Sequence, residues 1–268
     1  HLIYDKKLFL KDYITISRNR NRAFNFFDTK KYSWNTDNIS GFERKFCRVF
    51  GIRNLQRRSL HKILKNNFYL EREESQQSFQ VFWGENLQSK YDNLFVFKGN
   101  FPNIRNLALR FGSEIDNYSI IENKEQEKYE IVLYIDKEQD QFIQLVNNEI
   151  TITTLEEAQK LTHTITAFFR DFNKKSEGVH LIEHILLRHD DTLASSSYDP
   201  YSFIMTMVLP AWAGRFQSQE FKQLVHEFVT LETPAHIFTN ILWLEYEEME
   251  TFEKAYKEWL KLKATLPK

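Results

Sequence analysis

The spacing of apolar side chains changes along this chain, and each change marks an expected element. Phe42, Phe46, Val49 and Phe50 recur at helical intervals behind Ser40, with Glu43 three residues on and Gly51 as a stop. This is the signature of a capped amphipathic helix. A second short helix is expected over Leu55 to Leu64, with Leu60, Ile63 and Leu64 turned inward. From Asn66 the period falls to two. Phe68 to Arg72, Ser78 to Trp83 and Asp92 to Lys98 read as strands, followed by a helix over Ile104, Leu107, Ala108 and Phe111. The order then recurs: strands at Tyr118 to Glu122, Tyr129 to Ile135 and Gln141 to Val146, then a long helix capped by Thr154. Its expected stripe is Leu155, Ala158, Leu161, Ile165, Phe168, Phe169 and Phe172. Two strands-then-helix units of similar size point to a degenerate duplication.

Lys174 to Gly178 is polar and is expected to be a hinge. Beyond it, Val179 to Leu187 reads as strand or short helix, Tyr201 to Leu209 as strand and Ser218 to Thr230 as helix. Ala235 to Leu244 then reads as strand and Met249 to Leu262 as helix. The expected fold is α+β in three parts: a basic helical region over 1–65, two degenerate strand-helix repeats over 66–174, and a β-β-α-β-α module over 175–268.

Composition narrows the function classes. Twenty-four Phe in 268 residues supply a sizeable core and exclude disorder for most of the chain. Seven Gly leave little material for phosphate-cradling loops, and one cysteine, Cys47, excludes a disulfide framework or a Cys-based zinc cluster. Cys47 sits on an apolar helix face, where a structural thiol is expected. No run reaches the ~18 apolar residues of a membrane span. The first thirty residues do not read as a signal peptide. The chain starts at His1, as a piece of a longer polypeptide would.

Charge is split, with +11 over residues 1–65 and −12 over 66–268. Arg18, Arg20 and Arg22 alternate with polar residues, and Arg53, Arg57 and Arg58 follow. These arginines are candidates for a docking surface toward an acidic partner, a phosphate backbone or the acidic remainder of the chain. No recognised nucleic-acid motif accompanies them, so nucleic acid is the weaker partner.

His180-Leu-Ile-Glu183-His184 matches H-x-x-E-H. On a helix the two histidines share a face and can hold one metal ion, with Glu183 as base for a bound water. On a strand Glu183 turns away from the histidines and the motif dissolves. The short stretch, bounded by Gly178 and Asp190-Asp191, favours the strand. Ser195 to Ser197 beside His189, Asp190, Asp191 and Asp199 read as a polar loop, with no G-x-S-x-G to support a triad.

Several phrases resemble a known family. They are Trp34-Asn-Thr-Asp-Asn-Ile-Ser-Gly-Phe-Glu43, Glu177-Gly-Val-His-Leu-Ile-Glu-His-Ile-Leu-Leu-Arg188, Asp199-Pro-Tyr-Ser-Phe203 leading to Val208-Leu-Pro210, Pro234-Ala-His-Ile237, and Phe252-Glu-Lys-Ala-Tyr-Lys-Glu-Trp259. Together they resemble large baseplate-associated proteins of phage-tail-like contractile injection systems, with His189 where proline is expected. The resemblance implies a wedge-type structural subunit without active site or cofactor. It would assemble in the cytoplasm with other baseplate, sheath and tube subunits and then form part of the particle. It also implies that the basic region docks partners.

Overall fold

The computed structural model describes residues 34, 39–69, 78–82, 94–100, 102–146, 151–187 and 200–265. The fold is α+β, with two sheets and two compact units.

The first unit is assembled from residues up to 60, 177–211 and 219 onward. Helix α1 (Gly41–Val49) starts at a complete capping box: Ser40 Oγ accepts from Glu43 N, and the Glu43 carboxylate accepts from Ser40 N. Its sheet joins β7 (His180–Glu183), β8 (Ile204–Pro210) and β9 (Phe238–Leu244), antiparallel between β7 and β8 and parallel between β8 and β9. A parallel pair requires a crossover, which α5 (Gln219–Glu232) supplies. The final helix, α6, spans Tyr246–Thr265. Central β8 is buried on both faces, as its nearly continuous apolar run requires. Phe42, Phe46 and Phe50 of the α1 segment pack on Phe228 and Phe221 of α5 with ring centroids 4.6–5.8 Å apart within the cluster.

The second unit holds residues 61–176 and 212–218. After α2 (His61–Asn67), strands β1 (Phe68–Tyr69), β2 (Ser78–Phe82), β3 (Leu94–Lys98), β4 (Tyr118–Asn123), β5 (Lys128–Asp136) and β6 (Gln141–Val146) form one antiparallel sheet. The order β1-β2-β3-β6-β5-β4 brings the third strand of each half together at the centre, Phe97 opposite Leu145. Two βββα halves joined through their last strands would have this order, although the second half has the longer strands and the longer helix. Helices α3 (Ile104–Phe111) and α4 (Leu155–Ser176) complete the halves and pack on the sheet. The Phe97 and Phe169 rings meet edge to face at 5.7 Å.

Residues 212–218 cross into this unit and are held there by name. Asn173 Nδ2 donates to Leu109 O while Asn173 Oδ1 accepts from Gly214 N, and Gln217 Nε2 donates to Asn106 O. A Cβ on Gly214 would lie 2.5 Å from Asn173 Nδ2 and 2.7 Å from the Leu109 carbonyl, so only glycine fits this approach.

Several expectations change. The second short helix begins at His61, six residues later than predicted, because Asn54, Gln56 and Arg58 are engaged in local turn hydrogen bonds. Leu155 and Leu224 are exposed, and Phe168 is half-buried, so these helix faces are narrower than the apolar spacing suggested. Lys174 to Ser176 finish the last turn of α4, and Ser176, Glu177 and Gly178 are buried rather than forming a solvated hinge. Residues 39–60 pack with the C-terminal segment and are not a unit by themselves. The polar loop expected around Ser195 to Ser197 lies outside the described residues. Among the described residues, no helix is long and apolar enough to cross a membrane.

Candidate functional site

Among the described residues, a group of ionisable side chains is buried inside the first unit. Glu43, Arg57, Glu177, His180 and Glu253 are all buried there. Burying such groups is costly unless each finds a partner, so the arrangement of their bonds is informative.

Glu253 sits on α6 at a core position. With Met249, Tyr256 and Leu260 it completes the buried stripe of that helix. Its Oε1 accepts from Leu60 N at 2.6 Å and from His180 Nε2 at 3.0 Å. A carboxylate beside Nε2 assigns the proton of the ring to that nitrogen. Nδ1 is buried without a hydrogen-bond partner among the described residues. His180 and Glu253 are each 1 % exposed, so neither can touch a solute.

Glu43 plays a matching part from α1. One carboxylate oxygen closes the capping box on Ser40 N at 2.8 Å, and the other accepts from Leu181 N of β7 at 3.0 Å. A capping residue thus also satisfies a sheet amide. Tyr256 OH donates to Leu181 O at 3.4 Å. Trp34 lies over His180 with ring centroids 5.9 Å apart, meets Tyr256 edge-on, and donates its indole N–H to Ser59 Oγ at 2.8 Å. Phe252 and Trp259 extend the aromatic surround by stacking on Tyr256.

The arginines divide sharply. Arg53 is exposed. Arg57 is 2 % exposed, with its guanidinium 5.7 Å from the Tyr256 ring centre. Arg58 donates to the carbonyls of Asn54 and Gln56 and, at 2.5 Å, to that of Glu177. The expectation that Arg57 belongs to a docking surface is therefore corrected: it lies inside, and Arg58 is largely consumed by backbone carbonyls. Arg18, Arg20 and Arg22 lie outside the described residues. Reversing Arg57 to Glu is expected to destabilise the fold by about 3–5 kcal/mol, because it removes the cation from the Tyr256 ring and places a carboxylate in a buried setting. Arg53→Glu, at an exposed position, is expected to stay within about 0.5 kcal/mol. Urea unfolding of the two variants checks the contrast.

Electrostatics follow the burial. Desolvation pushes the Tyr256 hydroxyl well above the ordinary tyrosine range, and the charge and hydrogen bond of Arg57 only partly oppose it. Burial likewise pushes the Cys47 thiol up, with the Glu43 carboxylate adding to the rise. Loss of hydration lowers Arg58. Cys47 in the folded protein is accordingly expected to resist a thiol-specific disulfide reagent at pH 8 and to react at once in denaturant. Rapid labelling without denaturant contradicts this placement.

The H-x-x-E-H stretch takes the strand reading. His180 to Glu183 form β7, and His184 opens a short turn of 3-10 helix. His180 is bound to Glu253, whereas His184 Nε2 shares a hydrogen bond with Thr206 Oγ1 at 2.8 Å. The helical register that would aim both histidines and Glu183 at one ion is not formed. Among the described residues, no group of three or more His, Cys, Asp or Glu is placed to hold a metal ion.

Glu253 was not singled out from the sequence, where several glutamates surround it. Its signal was positional: residues 249, 253, 256 and 260 share one helix face, and a carboxylate at an otherwise apolar stripe position announces a buried partner. Neither models of known protein families nor curated proteins match this sequence.

Proposed function

We propose that this chain is a structural subunit of a phage-tail-like contractile injection particle, of the baseplate wedge type, acting through assembly contacts with other baseplate, sheath and tube subunits. One observation carries the reading. Three of the phrases that resemble such proteins, Trp34 to Glu43, Glu177 to Arg188 and Phe252 to Trp259, converge on the buried network of Glu43, His180, Glu253, Tyr256 and Trp34. Within these phrases Glu43, His180, Glu253 and Tyr256 thus hold chain segments together and are buried. This supports a scaffold more than a reaction centre.

The reading is tested by tagging the chain in a cell that assembles contractile particles and purifying by the tag. Sheath and tube subunits recovered with it in fixed stoichiometry are expected. Particles of normal composition that lack the tagged chain would overturn the proposal.

A further inference from the structure

We infer that an exposed ridge of α4, formed by Lys160, His163, Ala167, Arg170 and Lys174, docks an acidic helix of another protein along its length. These positions follow one another at intervals of three and four, so they make a single line on the helix surface. All five are exposed, while Leu161, Ile165, Phe169 and Phe172 on the opposite side are buried. The line runs for about 21 Å at the α-helical rise.

The charges of this ridge are uncompensated. Among the described residues, no carboxylate pairs with Lys160, His163, Arg170 or Lys174. Arg170 donates to Ser113 O at 2.9 Å, and a carbonyl holds the guanidinium without neutralising it. Other surface lysines behave differently. Lys175, one row away on α4, pairs with Asp171 at 2.6 Å. On α6, Lys254 pairs with Glu250 at 3.0 Å and Lys261 with Glu258 at 2.9 Å. The ridge also belongs to the part of the chain, residues 66–268, whose net charge is −12. An acidic region that keeps one line of cations clear of its own carboxylates presents a positive strip to solution.

Shape selects the partner. The three-four spacing is the line along which a second helix packs, and the small side chain of Ala167 at its centre lets that helix come close. Glutamates at the same spacing on the partner would face Lys160, Arg170 and Lys174. Such complementarity fixes register and speeds encounter. Glu156, also exposed, continues the same line one turn toward the N-terminus. A partner helix can end there or set a cation opposite it, whereas a phosphate backbone is negative throughout and cannot. The acidic helix is therefore favoured over nucleic acid. This surface goes beyond the baseplate reading and does not depend on it, because purified components test it without any particle.

The test is binding of the purified full chain to a fluorescein-labelled synthetic peptide, an alanine-based helix with glutamates at three-four spacing, read by fluorescence anisotropy. Saturable binding that weakens as salt is raised is expected. Lys160→Glu with Lys174→Glu is expected to weaken it by roughly tenfold or more, with unchanged circular dichroism. Lys160→Gln with Lys174→Gln is expected to give a smaller loss. Lys98→Glu with Lys124→Glu, at exposed positions off the ridge, is expected to stay within about twofold of wild type. No saturable binding, equal losses from reversals on and off the ridge, equal affinity for an isomeric peptide with its glutamates spread around the helix, or tighter binding of duplex DNA would each overturn the inference.

Discussion

Replacing Glu253 with alanine is expected to destabilise the first unit by about 3–5 kcal/mol, the cost of removing one member of a buried, hydrogen-bonded pair. The carboxylate serves two donors at once. Without it, Leu60 N and His180 Nε2 are left buried and unpaired in a region that water does not reach. The unpaired groups dominate the penalty, more than the lost attraction does. Glu253→Gln retains one acceptor oxygen of nearly the same shape and is expected to cost only about 1–2 kcal/mol. Urea unfolding followed by tryptophan fluorescence measures the difference, and hydrogen exchange at the Leu60 amide locates it. Equal stability of Glu253→Ala and wild type would contradict the network.

The second large effect lies in the other unit. Phe169→Ala is expected to cost about 3–5 kcal/mol, because the ring is fully buried, meets Phe97 at 5.7 Å, and leaves a cavity between α4 and the sheet. Gly112 packs so closely on this ring that a Cβ added there would lie 2.7 Å from it. The neighbouring Phe168 is the informative control. Sequence spacing places both rings in the buried stripe, with the same penalty expected for Phe168→Ala. Phe168 is in fact half-buried, stacked along the helix on Phe172 at 6.2 Å. Its truncation is therefore expected to cost about 1 kcal/mol. Thermal unfolding of both variants separates the two positions, and a reversed order would move the helix face.

What could be read from the sequence depended on the range of the interactions concerned. The capped start of α1, the helix over Ile104–Phe111 and the strand over Gln141–Val146 were read to the residue, since caps, glycine stops and period-two alternation act between neighbours. The β-β-α-β-α order of the last module was equally legible. The rotation of a helix about its axis was less so: Leu155 and Leu224 fit the apolar spacing but face solvent, because spacing does not state how wide a neighbouring surface is. The network was hardest to read. Arg57 looked like a surface charge in a basic run, and Glu253 was not set apart from the glutamates around it.

The sequence alone determined most of the secondary elements and the α+β class, each through contacts a few residues apart, and left the His180 stretch open between strand and short helix. Tertiary structure decided that Arg57 lies inside and that His180 belongs to Glu253, 73 residues away. It also decided that the third strands of the two halves meet at the centre of one sheet. The physical reason is that a charge enters a core only where a distant partner offsets its lost hydration, and the distance along the chain carries no trace of that partner.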